Sequence, residues 1–178
     1  ATTVQSVIDR VQTVLQDTTG VRWTVVAELV LWVNDAQREI ALLKPDSTAT
    51  NTTVTLTTGT KQDIPAAGNR LLRVVRNMSA ASGGTGKRSV RLVARDLLDT
   101  QNPNWHDPTV TGDAKHTTIV KHYIYDEANP RNYYVYPGVA GNAYLEIIYS
   151  ANPATVAQSD NMTIPDIYAT SVMNYVLY

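Results

Sequence analysis

Residues 23–44 constrain the fold more than any other part of the chain, because apolar side chains recur through them at helical spacing and both ends carry boundary signals. Val25, Leu29, Trp32, Val33, Ala36, Ile40 and Leu43 fall on one face, whereas Glu28, Asp35, Arg38 and Glu39 fall largely away from it. Thr24 stands where an N-cap hydroxyl can accept from an orphan backbone N–H. Lys44 sits at the negative end of the helix dipole, and Pro45 blocks continuation. One long helix is predicted. Its second half is amphipathic. In its first half Val26, Val30 and Leu31 extend apolar surface around most of the circumference, so that end expects cover from several sides, and these three are candidate contact residues.

Two further helices flank the chain. Val4, Val7, Ile8, Val11, Val14 and Leu15 recur at helical spacing, with Gly20 as a stop signal. The short link 17–23 favours antiparallel neighbours. Near the other end Ile164-Pro165-Asp166-Ile167 opens a closing helix, with Pro165 suited to its first position and Asp166 complementing its dipole. Ile167, Tyr168, Ser171, Val172, Tyr175 and Val176 share a face there. Tyr178 has neither glycine nor polar tail after it, so the expectation is that Tyr175 and Tyr178 meet a partner or that the natural chain continues.

Between these helices threonine, valine and alternating patterns take over. Residues 53–57 alternate, Thr58-Gly59 can turn, and 61–64 return, which predicts a hairpin ending at Pro65. Residues 70–76 read as a longer strand with Leu71, Arg73 and Val75 on one face and Leu72, Val74 and Arg76 on the other. Residues 79–88, rich in Gly and Ser, read as a flexible loop carrying Lys87 and Arg88. A short strand at 90–93 and helical turns at 95–101, ended by Pro103, come next. Residues 117–125, 132–136 and 143–149 then read as three strands of an antiparallel meander. The expected fold class is α+β: an antiparallel helix pair plus a closing C-terminal helix, with a large antiparallel β-rich insertion. The helical body takes 1–45 and 164–178, and the insertion takes 46–163.

Composition narrows the function. Across 178 residues the net charge is −1 and charged residues make up 17%, so no overall basic field exists to recruit nucleic acid or an anionic membrane. The absence of cysteine removes disulfides, zinc–thiolate sites and cysteine nucleophiles together. No apolar run reaches the roughly 18 residues a bilayer span needs, and no basic-then-apolar leader opens the sequence, so a soluble, unexported protein with no membrane partner is expected.

Catalytic chemistry is sought without success. Gly86-Lys87 resembles the end of a phosphate-binding loop, but position 81 is alanine and Arg88 replaces the hydroxyl residue that would hold magnesium. His106, His116 and His122 form the one metal-like constellation, without matching ligand spacing, and read as strand-surface or loop residues. Turn chemistry accounts for Asp107, Asp113, Asp126 and Glu127, and no strand–elbow–helix motif surrounds a serine. No catalytic, cofactor-binding or metal residue is assigned, and no enzyme is expected. Tyr123, Tyr125, Tyr133, Tyr134, Tyr136, Tyr144 and Tyr149 crowd into one stretch. They read chiefly as cross-strand core pairs, with a row of exposed rings for saccharide or protein contact as the alternative.

The segments containing Trp32-Val33-Asn34-Asp35-Ala36-Gln37-Arg38-Glu39-Ile40, Arg70-Leu71-Leu72-Arg73-Val74-Val75-Arg76-Asn77, Asn129-Pro130-Arg131-Asn132-Tyr133-Tyr134-Val135-Tyr136-Pro137 and Ile164-Pro165-Asp166-Ile167-Tyr168 follow one another in an order that resembles tailed-phage head-to-tail adaptor proteins. The resemblance covers nearly the whole chain. It implies a structural virion protein at the head–tail junction: a dodecameric homo-oligomeric ring between the portal protein and a tail nozzle or tail tube protein, through which double-stranded DNA passes. It carries over no catalytic residue. Lys87 and Arg88 would suit docking in that setting, because a free loop can order on its partner. The alternative is a saccharide- or protein-binding β module of a phage or bacterial surface protein.

Overall fold

In the computed structural model, which describes residues 1–178, the chain forms two units, residues 1–48 with 152–178 and residues 49–151. The first unit is helical. Helix α1 (Val4–Leu15) begins where the Thr3 hydroxyl accepts from the Ser6 N–H and the Ser6 hydroxyl donates back to the Thr3 carbonyl. It ends at Gln16, which takes the left-handed conformation (φ 54°) and donates to the Gln12 and Thr13 carbonyls. The stop therefore precedes Gly20, which serves the link instead. That link is built on Asp17, whose carboxylate accepts the backbone N–H groups of Val21, Arg22 and Trp23 at 3.0, 2.9 and 2.8 Å. The Trp23 N–H foremost holds this carboxyl below its ordinary pKa.

The long helix begins with a wide π turn, Val25–Leu29, that runs into α2 (Val30–Leu43). Thr24 does not cap it as the sequence implied. Its N–H and hydroxyl both donate to the Glu28 carboxylate, at 2.8 and 3.1 Å. The widened turn brings Glu28 round beneath the cap, so the acid supplies the acceptor. Leu29, Val30, Val33 and Ala36 face the core, but Leu43, placed by periodicity on that face, is 75% exposed.

A 3₁₀ turn, Asp166–Tyr168, leads into α4 (Ala169–Leu177), which packs against both α1 and α2 and is the main neighbour of each. Val172 and Val176 reach the core, whereas Ile167 is left outside. Two polar side chains on the buried face of α2 fasten the extended segment that precedes α4. Asn34 accepts the Val156 N–H at 2.9 Å and donates to the carbonyls of Val156 and Val30 at 3.0 and 2.9 Å. The Gln37 amide oxygen accepts the Thr163 N–H at 2.8 Å.

The second unit contains β1 (Ala49–Thr55), β2 (Gly59–Asp63), β3 (Gly68–Met78), β4 (Gly86–Ser89), β5 (Arg91–Leu92), helix α3 (Arg95–Gln101), β6 (His122–Ile124), β7 (Asn132–Val139) and β8 (Tyr144–Ala151). Two four-stranded sheets result, in the orders β1-β8-β3-β4 and β2-β7-β6-β5, antiparallel except for β5 with β6. The chain as a whole is α+β.

The pairing corrects four sequence expectations. β1 and β2 are not a hairpin but lie in different sheets, since the Gln62 side chain, accepting from the Thr57 N–H and donating to its carbonyl, each at 2.8 Å, occupies the corner between them. β7 and β8 likewise part into different sheets, so no three-stranded meander forms. Residues 117–121 are not strand: the Asn77 amide takes a partner strand's place, accepting from the Val120 N–H at 2.8 Å and donating to its carbonyl at 2.7 Å. The segment 79–88 is a hairpin turn closed by Ser79 and Thr85, with Lys87 and Arg88 already inside β4.

β3 departs from period two altogether. Its register against β8 slips by one residue at three successive places, between Gly68 and Arg70, Leu71 and Arg73, and Val74 and Arg76. Each bulge sets two residues of β3 against one of β8, so burial recurs every third residue: Gly68, Leu71, Val74 and Asn77 point inward. Arg73 and Arg76 are left exposed and Arg70 half-buried.

The two sheets share a core of Leu71, Val74, Leu145 and Ile147 from one and Tyr123, Tyr133 and Val135 from the other. A smaller cluster surrounds Trp105, which is fully buried and donates its indole N–H to Asp99 at 2.9 Å. No helix is long and apolar enough to cross a membrane.

Candidate assembly surface

The helical unit leaves apolar side chains unspent. On α2 and the turn before it, Val26 is 69%, Leu31 54% and Leu42 74% exposed, beside Leu43. Leu31, Asp35, Arg38, Glu39 and Leu42 share the outer face, with Arg38 donating to Asp35 at 3.0 Å and to the Thr155 hydroxyl at 3.2 Å. A helix that gains nothing by folding alone from so much exposed leucine has surface suited to another protein.

Of the candidate contact residues, Val26 and Leu31 lie on this exposed surface, but Val30 does not. It is 7% exposed and lies on the row Val30, Asn34, Gln37 and Ala41, which α2 buries along its whole length. Tyr175 and Tyr178 meet at a groove of 890 Å³ whose wall includes Leu15, Trp23, Trp32 and Leu177. The two tryptophans stand edge to face, with ring centroids 5.5 Å apart at 61°, and the Arg22 guanidinium lies 5.7 Å from the Trp23 ring. Periodicity assigned Trp32 to the core. The groove arises because α4 covers only part of it, a tertiary fact with no local signal.

Lys87 and Arg88 belong to the β unit and are exposed on β4, an edge strand. Around them the backbone gathers further cations. The Arg88 carbonyl accepts from Asn77, whose amide also holds Val120, while Arg91 pairs with His122 across β5 and β6 and donates its N–H to the Lys121 carbonyl at 3.3 Å. Burial, then the Arg88, Lys121 and Arg91 charges, push the His122 pKa below its ordinary value, leaving the ring neutral at pH 7, stacked 6.2 Å from Tyr136.

The three histidines are engaged separately. His106 lies against Trp105, centroids 3.7 Å apart, and shares a hydrogen bond with the Thr60 hydroxyl at 2.7 Å. His116 is buried with Nε2 3.4 Å from the Trp105 carbonyl and its ring against Gly138. Of the tyrosines, Tyr123, Tyr133, Tyr136 and Tyr149 are buried, so most of that row fills the core. Tyr133 is wholly enclosed, and burial drives its hydroxyl pKa far upward.

The arrangement offers contact surfaces: leucines on α2, an aromatic groove and a cationic sheet edge. No curated protein matches the sequence. A family model described as SU10 adaptor protein matches residues 2–178, and over that length the chain belongs to the SU10 adaptor protein family, a family of phage head-to-tail adaptors.

Proposed function

We propose that the chain assembles into a homo-oligomeric, dodecameric ring between the portal vertex and the tail, through which double-stranded DNA passes, and that its work is structural rather than catalytic. The observation that carries this reading is the exposed apolar surface of α2 and its opening turn: Val26, Leu31, Leu42 and Leu43. Enclosing such side chains contributes about 1.5–3 kcal/mol each before the costs of association, enough to favour a lasting subunit contact. The aromatic groove supports a second contact, with the portal or with a tail nozzle or tail tube protein.

Electron microscopy of the full chain added to the portal ring of the same genome tests the proposal. Portal rings carrying one added tier are expected, whereas bare portal rings beside free monomer would refute it.

A further inference from the structure

The near-neutral total hides an uneven distribution. The helical unit carries eight Asp/Glu against four Lys/Arg, a net charge of −4, and the β unit eleven Lys/Arg against eight Asp/Glu, a net charge of +3. Most of the excess lies in one run, residues 70–95, which contains seven Arg/Lys and no carboxylate.

Structure concentrates that run. The three bulges of β3 turn Arg73 and Arg76 to the outside, and β4 and β5 are adjacent in sequence at the edges of the two sheets. Arg73, Lys87, Arg88 and Arg91 make no ion pair. Among them sits Leu92, 62% exposed. A leucine set in unpaired cations fits a protein surface with an apolar centre and an acidic rim better than it fits a phosphate backbone, which offers leucine nothing.

The helical unit carries that complement. Leu31 and Leu42 on the outer face of α2 are accompanied by Glu39, and Asp46 follows in the 3₁₀ turn Pro45–Thr48; neither acid has an ion-pair partner. Of the two cations nearby, Arg38 is engaged by Asp35 and Thr155, and Lys44 lies over the Tyr168 ring at 5.7 Å, attracted to Asp46 only from beyond ion-pair distance.

We infer that the cationic edge around Arg88, Arg91 and Leu92 of one copy docks on the outer face of α2, around Leu31, Glu39, Leu42 and Asp46, of a second copy. Two different patches of one chain then meet head to tail, the type of contact that closes into a ring when the rotation allows it. This rests on the ring reading above and specifies its subunit contact. Opposed charges would set the orientation and the salt dependence of assembly, while the leucines would hold the closed contact.

The test is charge reversal in the full chain, with self-assembly followed by sedimentation velocity and by microscopy on portal rings. The pair Arg88→Glu with Arg91→Glu, and separately the pair Glu39→Arg with Asp46→Arg, is each expected to raise the concentration needed for assembly about ten-fold or more. All four reversals on one chain restore opposite charges across the contact, and recovery to within about three-fold of the parent is expected. A misfolded variant would not be rescued by changes in the other unit. Parent-like assembly of either reversed pair, or no recovery in the fourfold variant, overturns the contact while leaving the ring reading intact. A parent chain that forms no ring overturns both. Unchanged assembly with lost retention of double-stranded DNA in the Arg88→Glu, Arg91→Glu variant would make the edge a DNA surface and overturn the proposal.

Discussion

Replacing Asn77 with alanine should destabilise the β unit more than any exposed substitution in it. Asn77 is 1% exposed, and its amide binds both backbone groups of Val120, itself fully buried, together with the Arg88 carbonyl at 2.9 Å. Arg88 lies at an exposed edge, where water can replace the lost donor. The Val120 N–H and carbonyl have no such recourse, and a buried polar group left without its partner costs about 1–3 kcal/mol. Two such groups give a loss of about 2–6 kcal/mol, with about 3 kcal/mol as the working figure. Over a chain of this size that corresponds to a fall in Tm of about 6–12 °C. Urea unfolding followed by tryptophan fluorescence should show a lower midpoint at unchanged slope. Asn51→Ala serves as the control: it removes one exposed bond to Glu146 and should shift stability by less than about 0.5 kcal/mol. An Asn77→Ala variant melting within about 2 °C of the parent would refute the view that a side chain does a strand's work at residues 117–121.

Three further outcomes follow from the geometry. The depressed Asp17 carboxyl contributes stability that is fully present above its unfolded pKa of about 3.9 and is lost as pH falls towards its lower folded value; Asp17→Ala should therefore flatten the acid limb of a Tm-against-pH profile, and an unchanged limb would refute this. Gly138→Ala places a methyl group 2.5 Å from the buried His116 Nε2 and should cost about 1–3 kcal/mol in urea unfolding, so a neutral effect would mean the His116 ring has room to move. Leu42→Ser should leave monomer stability within about 0.5 kcal/mol yet weaken ring assembly about ten-fold, measured by sedimentation velocity; parent-like assembly would remove Leu42 from the contact.

The helices were legible in the sequence because their signals are local. Three- and four-residue recurrence, Pro45 and Pro103 each lie within a few residues of what they determine, and α1, α2, α3 and α4 appear where those signals stand. The α+β class followed. Strand partners were not legible, since nothing near Gly59 or Asn142 says which sheet the chain will join. Gln62 fills its corner with a side chain whose role depends on where β7 already lies. β3 is subtler: period two placed Leu71 and Val74 on opposite faces, and three bulges put them on the same one.

Polar residues inside the helical core escaped for a related reason. Asn34 and Gln37 interrupt an apolar stripe, and only the segment from Val156 to Thr163 lying across them explains their burial. Of the candidate surface, Val26, Leu31, Lys87 and Arg88 were readable as exposed features. Val30 was not, because it shares its row of α2 with the polar Asn34 and Gln37, which reads as outside the apolar face until the segment 156–163 is seen to bond there.

The arrangement of the helical unit also sets an order of events during synthesis. The β unit is one continuous stretch, complete once residue 151 has emerged, and its first and last strands are neighbours, so it can close by itself on the nascent chain. The helical unit must wait. Its core needs α4, which leaves the ribosome on the order of ten seconds after α2 at ordinary elongation rates. Until then α1 and α2 lack the neighbour that covers Val7, Val11 and Val33. A chain interrupted before α4 would hold a finished β unit beside an unfinished helix pair, marked for proteolysis and unable to take a place among complete subunits.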